Sequence, residues 1–132
     1  MTKVTGIRTV KFFESESENA CSIIDNKAYS KGYNITNDHR LRMEDEYIKK
    51  FKGYSKKDKP LRFFLYISND FGKTINSKLA EIHRNTGING AAISVDLFIK
   101  IVKEYADKGY THGDLFRIFA VNREVRLADL KS

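Results

Sequence analysis

The sequence predicts a mixed α/β domain (α+β in character) in which a small central mixed β-sheet is flanked by helices. Three observations carry that prediction. Leu61 to Ser68 (Leu-Arg-Phe-Phe-Leu-Tyr-Ile-Ser) is a near-continuous run of aromatic and branched residues, as expected of a central strand buried on both faces. Asp96 to Lys108 carries Leu97, Phe98, Ile101, Val102 and Tyr105 at the spacing of an amphipathic helix, with Gly109 as its stop. Strand-like and helix-like segments follow one another as β-β-α-β-α-β-α-α, a pattern that builds layers around one core.

Taken in order, Gly6 to Phe13 alternates with Ile7, Thr9 and Val10 and reads as a strand. Glu14 to Asn19 is a polar turn, and Ala20 to Asp25 (Ala-Cys-Ser-Ile-Ile-Asp) is an apolar run ending in a carboxylate, so the two strands form a hairpin. Lys31 to Asn34 is a loop. Thr36 or Asn37 caps a helix running to about Phe51, with Leu41, Tyr47, Ile48 and Phe51 as a partial apolar stripe. After the strand at Leu61–Ser68, a helix over about 74–85 places Ile75, Leu79 and Ile82 on one side. Gly87 and Gly90 frame a loop before a short strand, Ala91 to Val95. Thr111-His112-Gly113-Asp114 has capping-box spacing for a last helix bearing Leu115, Ile118 and Phe119.

Composition sets the class. The chain has 132 residues, of which 41% are hydrophobic, and nine Phe and seven Tyr are available to fill a core. That suits one globular domain over residues 1–132 and excludes intrinsic disorder. One cysteine excludes a disulfide framework and a thiolate zinc cluster, and Cys21 reads as an inert core thiol. No apolar run approaches a membrane span and the first residues have no apolar signal core, so a cytoplasmic protein without membrane contact is expected.

The net charge of +7 is a statement about partners. Lys49, Lys50, Lys52, Lys56, Lys57, Lys59 and Arg62 are interrupted by one acid, Asp58, in a stretch that reads as a basic loop leaving a helix. It is either a solvated connection or a surface that contacts a polyanion.

The residues with chemical potential are Asp25-Asn26-Lys27. Positions two apart on a strand point to the same side, so a carboxylate and an ammonium are presented together at the end of an apolar strand. Phosphodiester hydrolysis uses such a pair: the carboxylate holds Mg²⁺, and the ammonium orients the attacking water and offsets charge growing on phosphorus. The bare pattern is also met as a surface ion pair. His39, His83 and His112 lack the mutual spacing of a metal site and are expected to be structural.

The longer stretch Ile-Ile-Asp-Asn-Lys-Ala-Tyr-Ser-Lys-Gly-Tyr-Asn, from Ile23 to Asn34, resembles the catalytic strand and following loop of the FokI-type cleavage domain. That family belongs to the PD-(D/E)xK nuclease superfamily and occurs in type IIS restriction endonucleases. Phe63 to Phe71 resembles its next strand and turn, and Asn89 to Leu97 its last core strand and helix start, so the likeness runs in register from roughly Gly6 to Phe119. The resemblance implies a restriction-endonuclease-like, DNA-cleaving domain using Mg²⁺, with Mn²⁺ as a substitute. Asp25 would bind the metal, the main-chain carbonyl of Asn26 would add a ligand, and Lys27 would be the catalytic lysine. Tyr29, Ser30 and Tyr33 would lie beside the site, contacting double-stranded DNA or buttressing the loop. Lys31 would join them at the DNA, and Lys49, Lys50, Lys52, Lys56 and Lys57 would contact its backbone without reading sequence. For Tyr29 and Tyr33 the alternative is loop packing.

Two departures accompany the likeness. Lys3-Val4-Thr5-Gly6-Ile7 aligns with the family's Lys-Pro-Asp-Gly segment, so Thr5 stands where the first metal-binding acid belongs. A hairpin turn centred near Ser15 or Glu16 would likewise set Thr5 across from Asp25 to Lys27. Glu14, Glu16 and Glu18 are too far along the hairpin to replace it, and Glu44, Asp45 and Glu46 are conceivable replacements from the helix. A site with one carboxylate should hold Mg²⁺ poorly. The family's domain also begins with helices before the hairpin, so this chain is expected to be N-terminally shortened, pairing as a homodimer or with a separate DNA-recognition chain. At the family's interface aspartate and arginine positions stand Leu41 and Asp45. The alternative function is a truncated or degenerate relative that binds DNA or a partner chain without cutting.

Overall fold

The computed structural model describes residues 2–4, 10–15, 20–28, 30–51 and 60–131, with backbone alone up to residue 20. Five strands form one sheet in the order β1-β2-β3-β4-β5: β1 (Thr2–Val4), β2 (Val10–Ser15), β3 (Ala20–Lys27), β4 (Leu61–Ser68) and β5 (Gly90–Ser94). The first three are antiparallel and the last three parallel, so the sheet is mixed as expected.

β4 matches its expected bounds and has neighbours on both sides. Its alternation divides the interior in two. Phe64 and Tyr66 join Ile23, Ile35, Met43, Leu79 and Ile82 on one face; Phe63, Leu65 and Ile67 join Ile93, Ile101, Ile118 and Val125 on the other. Gly90, paired with Phe64, leaves room for that ring: a Cβ there would stand 2.3 Å from it.

The helices are α1 (Asn37–Leu41), continued by a π-helix (Arg42–Ile48), then α2 (Ile75–Thr86), α3 (Val95–Glu104) and α4 (His112–Ile118). Thr36 caps α1, and Gly87, in the left-handed region at φ 76°, ends α2 by donating its N–H to the His83 carbonyl. The Thr111–Asp114 capping box forms in both directions.

Four expectations on the fold are corrected. An edge strand, β1, precedes the expected Gly6–Phe13 strand, whose residues 10–13 lie in β2 while residues 6–9 lie outside the described residues. β2–β3 pairing extends through Ser15↔Ala20, so the register centre falls later than the sequence suggested and Val10, not Thr5, pairs with Asp25. Leu41 is outside the core at 44% exposure, and Met43 takes its place with Tyr47 and Phe51, at a spacing of four that keeps all three on one side. On α3 only Ile101 is fully buried, whereas Val102 is 60% exposed, because α4 and the sheet cover one flank of an apolar helix. Among the described residues no helix is long and apolar enough to cross a membrane.

Candidate active site

β3 ends in a sequence-coded stop. The Ala28 N–H donates to the Asn26 side-chain oxygen at 2.9 Å and the Ser30 N–H to the Lys27 carbonyl at 2.9 Å, turning the chain away directly after Lys27. Asp25, Asn26 and Lys27 therefore stand at the carboxyl end of a parallel strand, the rim where open α/β sheets place their ligand sites.

The same-side expectation holds. Lys27 Nζ lies 3.4 Å from Asp25 Oδ1, with the two side chains 12% and 6% exposed. Little water screens a pair so enclosed, so the ammonium acts strongly on the carboxylate and on any anion brought beside it.

Asp25 faces the aromatic side of the sheet. Tyr66 is its register partner on β4, and burial followed by the Asp25 carboxylate holds the Tyr66 phenol well above its usual range. The same two causes push Tyr47, on the π-helix, up to about 12. Both phenols thus stay protonated beside the acid. The Tyr66 hydroxyl is buried without a hydrogen-bond partner among the described residues.

The loop after β3 is tied to the end of β4 rather than left open. The Ser68 hydroxyl donates to the Ser30 carbonyl at 3.2 Å, and the Gly32 N–H donates to the Asp70 carboxylate. The Tyr33 N–H bonds the Asp70 carbonyl at 3.1 Å, and the Tyr33 carbonyl accepts from Gly72 at 3.0 Å. Tyr33 is buried in loop packing, one of the two readings the sequence left open for it.

His39, expected to be structural, lies at this corner: its Nδ1 meets the Tyr33 hydroxyl at 2.7 Å. Burial, and then the Lys27 ammonium, hold its imidazole below the usual histidine range, opposed by Asp25. No spacing rule brings Tyr33 and His39 together; only the loop between β3 and α1 does. His83 and His112 fit the structural expectation, His83 Nδ1 meeting the Ile88 carbonyl at 3.2 Å and His112 packing on Phe116.

For a divalent cation, the Asp25 carboxylate and the Asn26 carbonyl are hard oxygen donors of the right kind. Among the described residues no group of three His, Cys, Asp or Glu side chains gathers around them. Glu44 does not fill the gap, since it accepts from Arg40 at 2.8 Å and from Asn85 at 3.1 Å, and Asp45 and Glu46 are exposed on the π-helix. By donor chemistry these two oxygens would suit a hydrated ion that keeps several of its waters. Of the remaining predicted site residues, Lys31, Lys49 and Lys50 are exposed, while Thr5, Tyr29, Lys52, Lys56 and Lys57 lie outside the described residues.

Comparison with known proteins gives one family and one fold. The family model of the FokI cleavage domain matches residues 9–126. A solved structure of restriction endonuclease FokI superposes with a TM-score of 0.76 at 22% identity, over 96% of this chain and 25% of that one. A structure of the same enzyme bound to DNA gives 0.76 at 23% identity over the same shares. The chain thus spans about a quarter of the length of the structures it matches. No curated protein sequence matches it.

Proposed function

The chain belongs to the FokI cleavage-domain family, and on that premise we propose that it hydrolyses phosphodiester bonds of double-stranded DNA at the Asp25–Lys27 corner, with Mg²⁺ or Mn²⁺. The observation that carries this reading is the 3.4 Å carboxylate–ammonium pair at the carboxyl end of β3.

A divalent ion bound by Asp25 and the Asn26 carbonyl would supply Lewis-acid polarisation and a more acidic bound water. The protein's own groups do the rest. Lys27 holds the attacking water by hydrogen bonding and offsets the negative charge that grows on the phosphoryl oxygens. As the water oxygen bonds to phosphorus, one ester P–O bond breaks and the leaving oxygen takes up a proton. The enclosed corner strengthens each of these interactions by excluding solvent. Lys31, Lys49 and Lys50, with the basic stretch that follows, would track the DNA backbone. Pairing as a homodimer or with a separate recognition chain would then decide where cutting occurs.

A second reading has its own support. The absence of any group of three His, Cys, Asp or Glu side chains among the described residues, and threonine at the aligned first-acid position, suit a relative that binds DNA without cutting. Supercoiled plasmid with Mg²⁺ or Mn²⁺ separates the two. Nicking by wild type that is lost in Asp25→Ala and Lys27→Ala supports the nuclease. Silence of wild type with recovery in Thr5→Asp supports the non-cutting relative.

A further inference from the structure

His39 has no task in the hydrolytic reading, yet its ring is held in a defined pose. It lies in the first turn of α1, where its N–H donates to the Thr36 hydroxyl at 3.1 Å. Nδ1 shares the 2.7 Å hydrogen bond with the Tyr33 hydroxyl, and the two rings stack with centroids 5.7 Å apart. Nε2 makes no hydrogen bond among the described residues.

Tyr33 is itself fixed. Besides its backbone bonds to Asp70 and Gly72, its ring tilts against Tyr66 at 6.1 Å and meets Phe71 edge-on at 6.4 Å. Tyr66 is the register partner of Asp25, so a row of rings leads from the carboxylate-bearing strand to the imidazole. Lys27 and Asp25 both act electrostatically on His39, and burial with Lys27 favours its neutral form. A neutral imidazole that accepts the Tyr33 hydroxyl's hydrogen bond at Nδ1 carries its own proton on Nε2 and is a donor there. Phosphodiester oxygens are acceptors only, so a donor is what such a site requires.

We infer that His39 is a third substrate-touching residue of the Asp25–Lys27 site, donating from Nε2 to a phosphate oxygen of bound DNA, with Tyr33 as the positioning residue that fixes its tautomer and ring plane. The inference rests on the proposed reading of the site, but binding can test it separately from cutting.

The 132-residue chain and its variants His39→Ala, His39→Gln and Tyr33→Phe are compared in two assays: anisotropy titration of a short labelled duplex with Ca²⁺ in place of Mg²⁺, and single-turnover cleavage with Mg²⁺. His39→Ala is expected to lose roughly tenfold or more in affinity or rate, as loss of one hydrogen bond to a charged group does. His39→Gln, whose amide N–H reaches where Nε2 does, restores most of it, and Tyr33→Phe falls between. Melting temperatures report folding; should His39→Ala fail to fold, His39→Gln and Tyr33→Phe carry the test. Equal loss in His39→Gln and His39→Ala, or none in a folded His39→Ala, overturns the inference. DNA binding that depends on His39 without any cleavage sinks the hydrolytic reading alone. Cleavage and binding both indifferent to His39 sink this inference alone, and a chain that neither binds nor cuts DNA sinks both.

Discussion

Deleting one oxygen, in Tyr66→Phe, should stabilise the fold. Tyr66 is fully buried at the centre of the sheet, and its hydroxyl has no hydrogen-bond partner among the described residues. An unsatisfied buried hydroxyl costs about 1–3 kcal/mol, which phenylalanine of the same shape removes. The unfolding entropy of a chain of 132 residues is about 0.28 kcal/mol/K, at about 2.1 cal/mol/K per residue. The expected rise in Tm is therefore about 4–11 °C. Thermal melts by circular dichroism, with urea titrations at unchanged m, measure it. A lower Tm in Tyr66→Phe would refute the reasoning, because it would mean that the hydroxyl is satisfied within the folded protein.

Gly90→Ala should destabilise by about 1–3 kcal/mol, since the new methyl meets the buried Phe64 ring at 2.3 Å; a Tm within 2 °C of wild type would contradict it. Asp129→Asn tests pH dependence at the C-terminus. The Arg123 guanidinium, donating to Asp129 at 2.8 Å, holds its carboxyl down at about 2. Its contribution is thus present above the unfolded value near about 4 and lost as pH falls toward about 2. The Tm gap between wild type and variant should stay constant from pH 7 to 5 and close below about pH 4; a gap that persists at low pH contradicts the assignment. Lys49→Ala with Lys50→Ala should lower the slope of log affinity for DNA against log salt by about 0.9 for each phosphate contact removed, and an unchanged slope would take these two lysines off the DNA surface.

Residues whose local preference and tertiary burial agree were legible in the sequence. Leu61–Ser68 is apolar on both faces and lies centrally, and the Thr111–Asp114 box closes where its spacing says. Asp25 and Lys27 share a side because strand alternation leaves them no choice. What was not legible depends on partners distant in the chain. β1 is a strand of three residues, too short for any periodicity, and exists through its pairing with β2. Leu41 and Met43 are both apolar; which one is buried follows from the π-helix packing against α2, whose Leu79 and Ile82 share the core with Met43. The π-helix, with the Lys49 N–H reaching back to the Glu44 carbonyl at 3.2 Å, has no sequence signature of its own. Likewise, His39 joins the site through a contact with Tyr33 that only the folded loop creates.

Parallel pairing of β3 with β4 joins Lys27 to Ser68 across the whole α1 and π-helix crossover. During synthesis, the corner cannot assemble until β4 has left the ribosome, because the aromatic wall behind Asp25 arrives with that strand. A chain interrupted before it would carry Asp25 and Lys27 but not the strand against which β3 pairs to hold them at the rim.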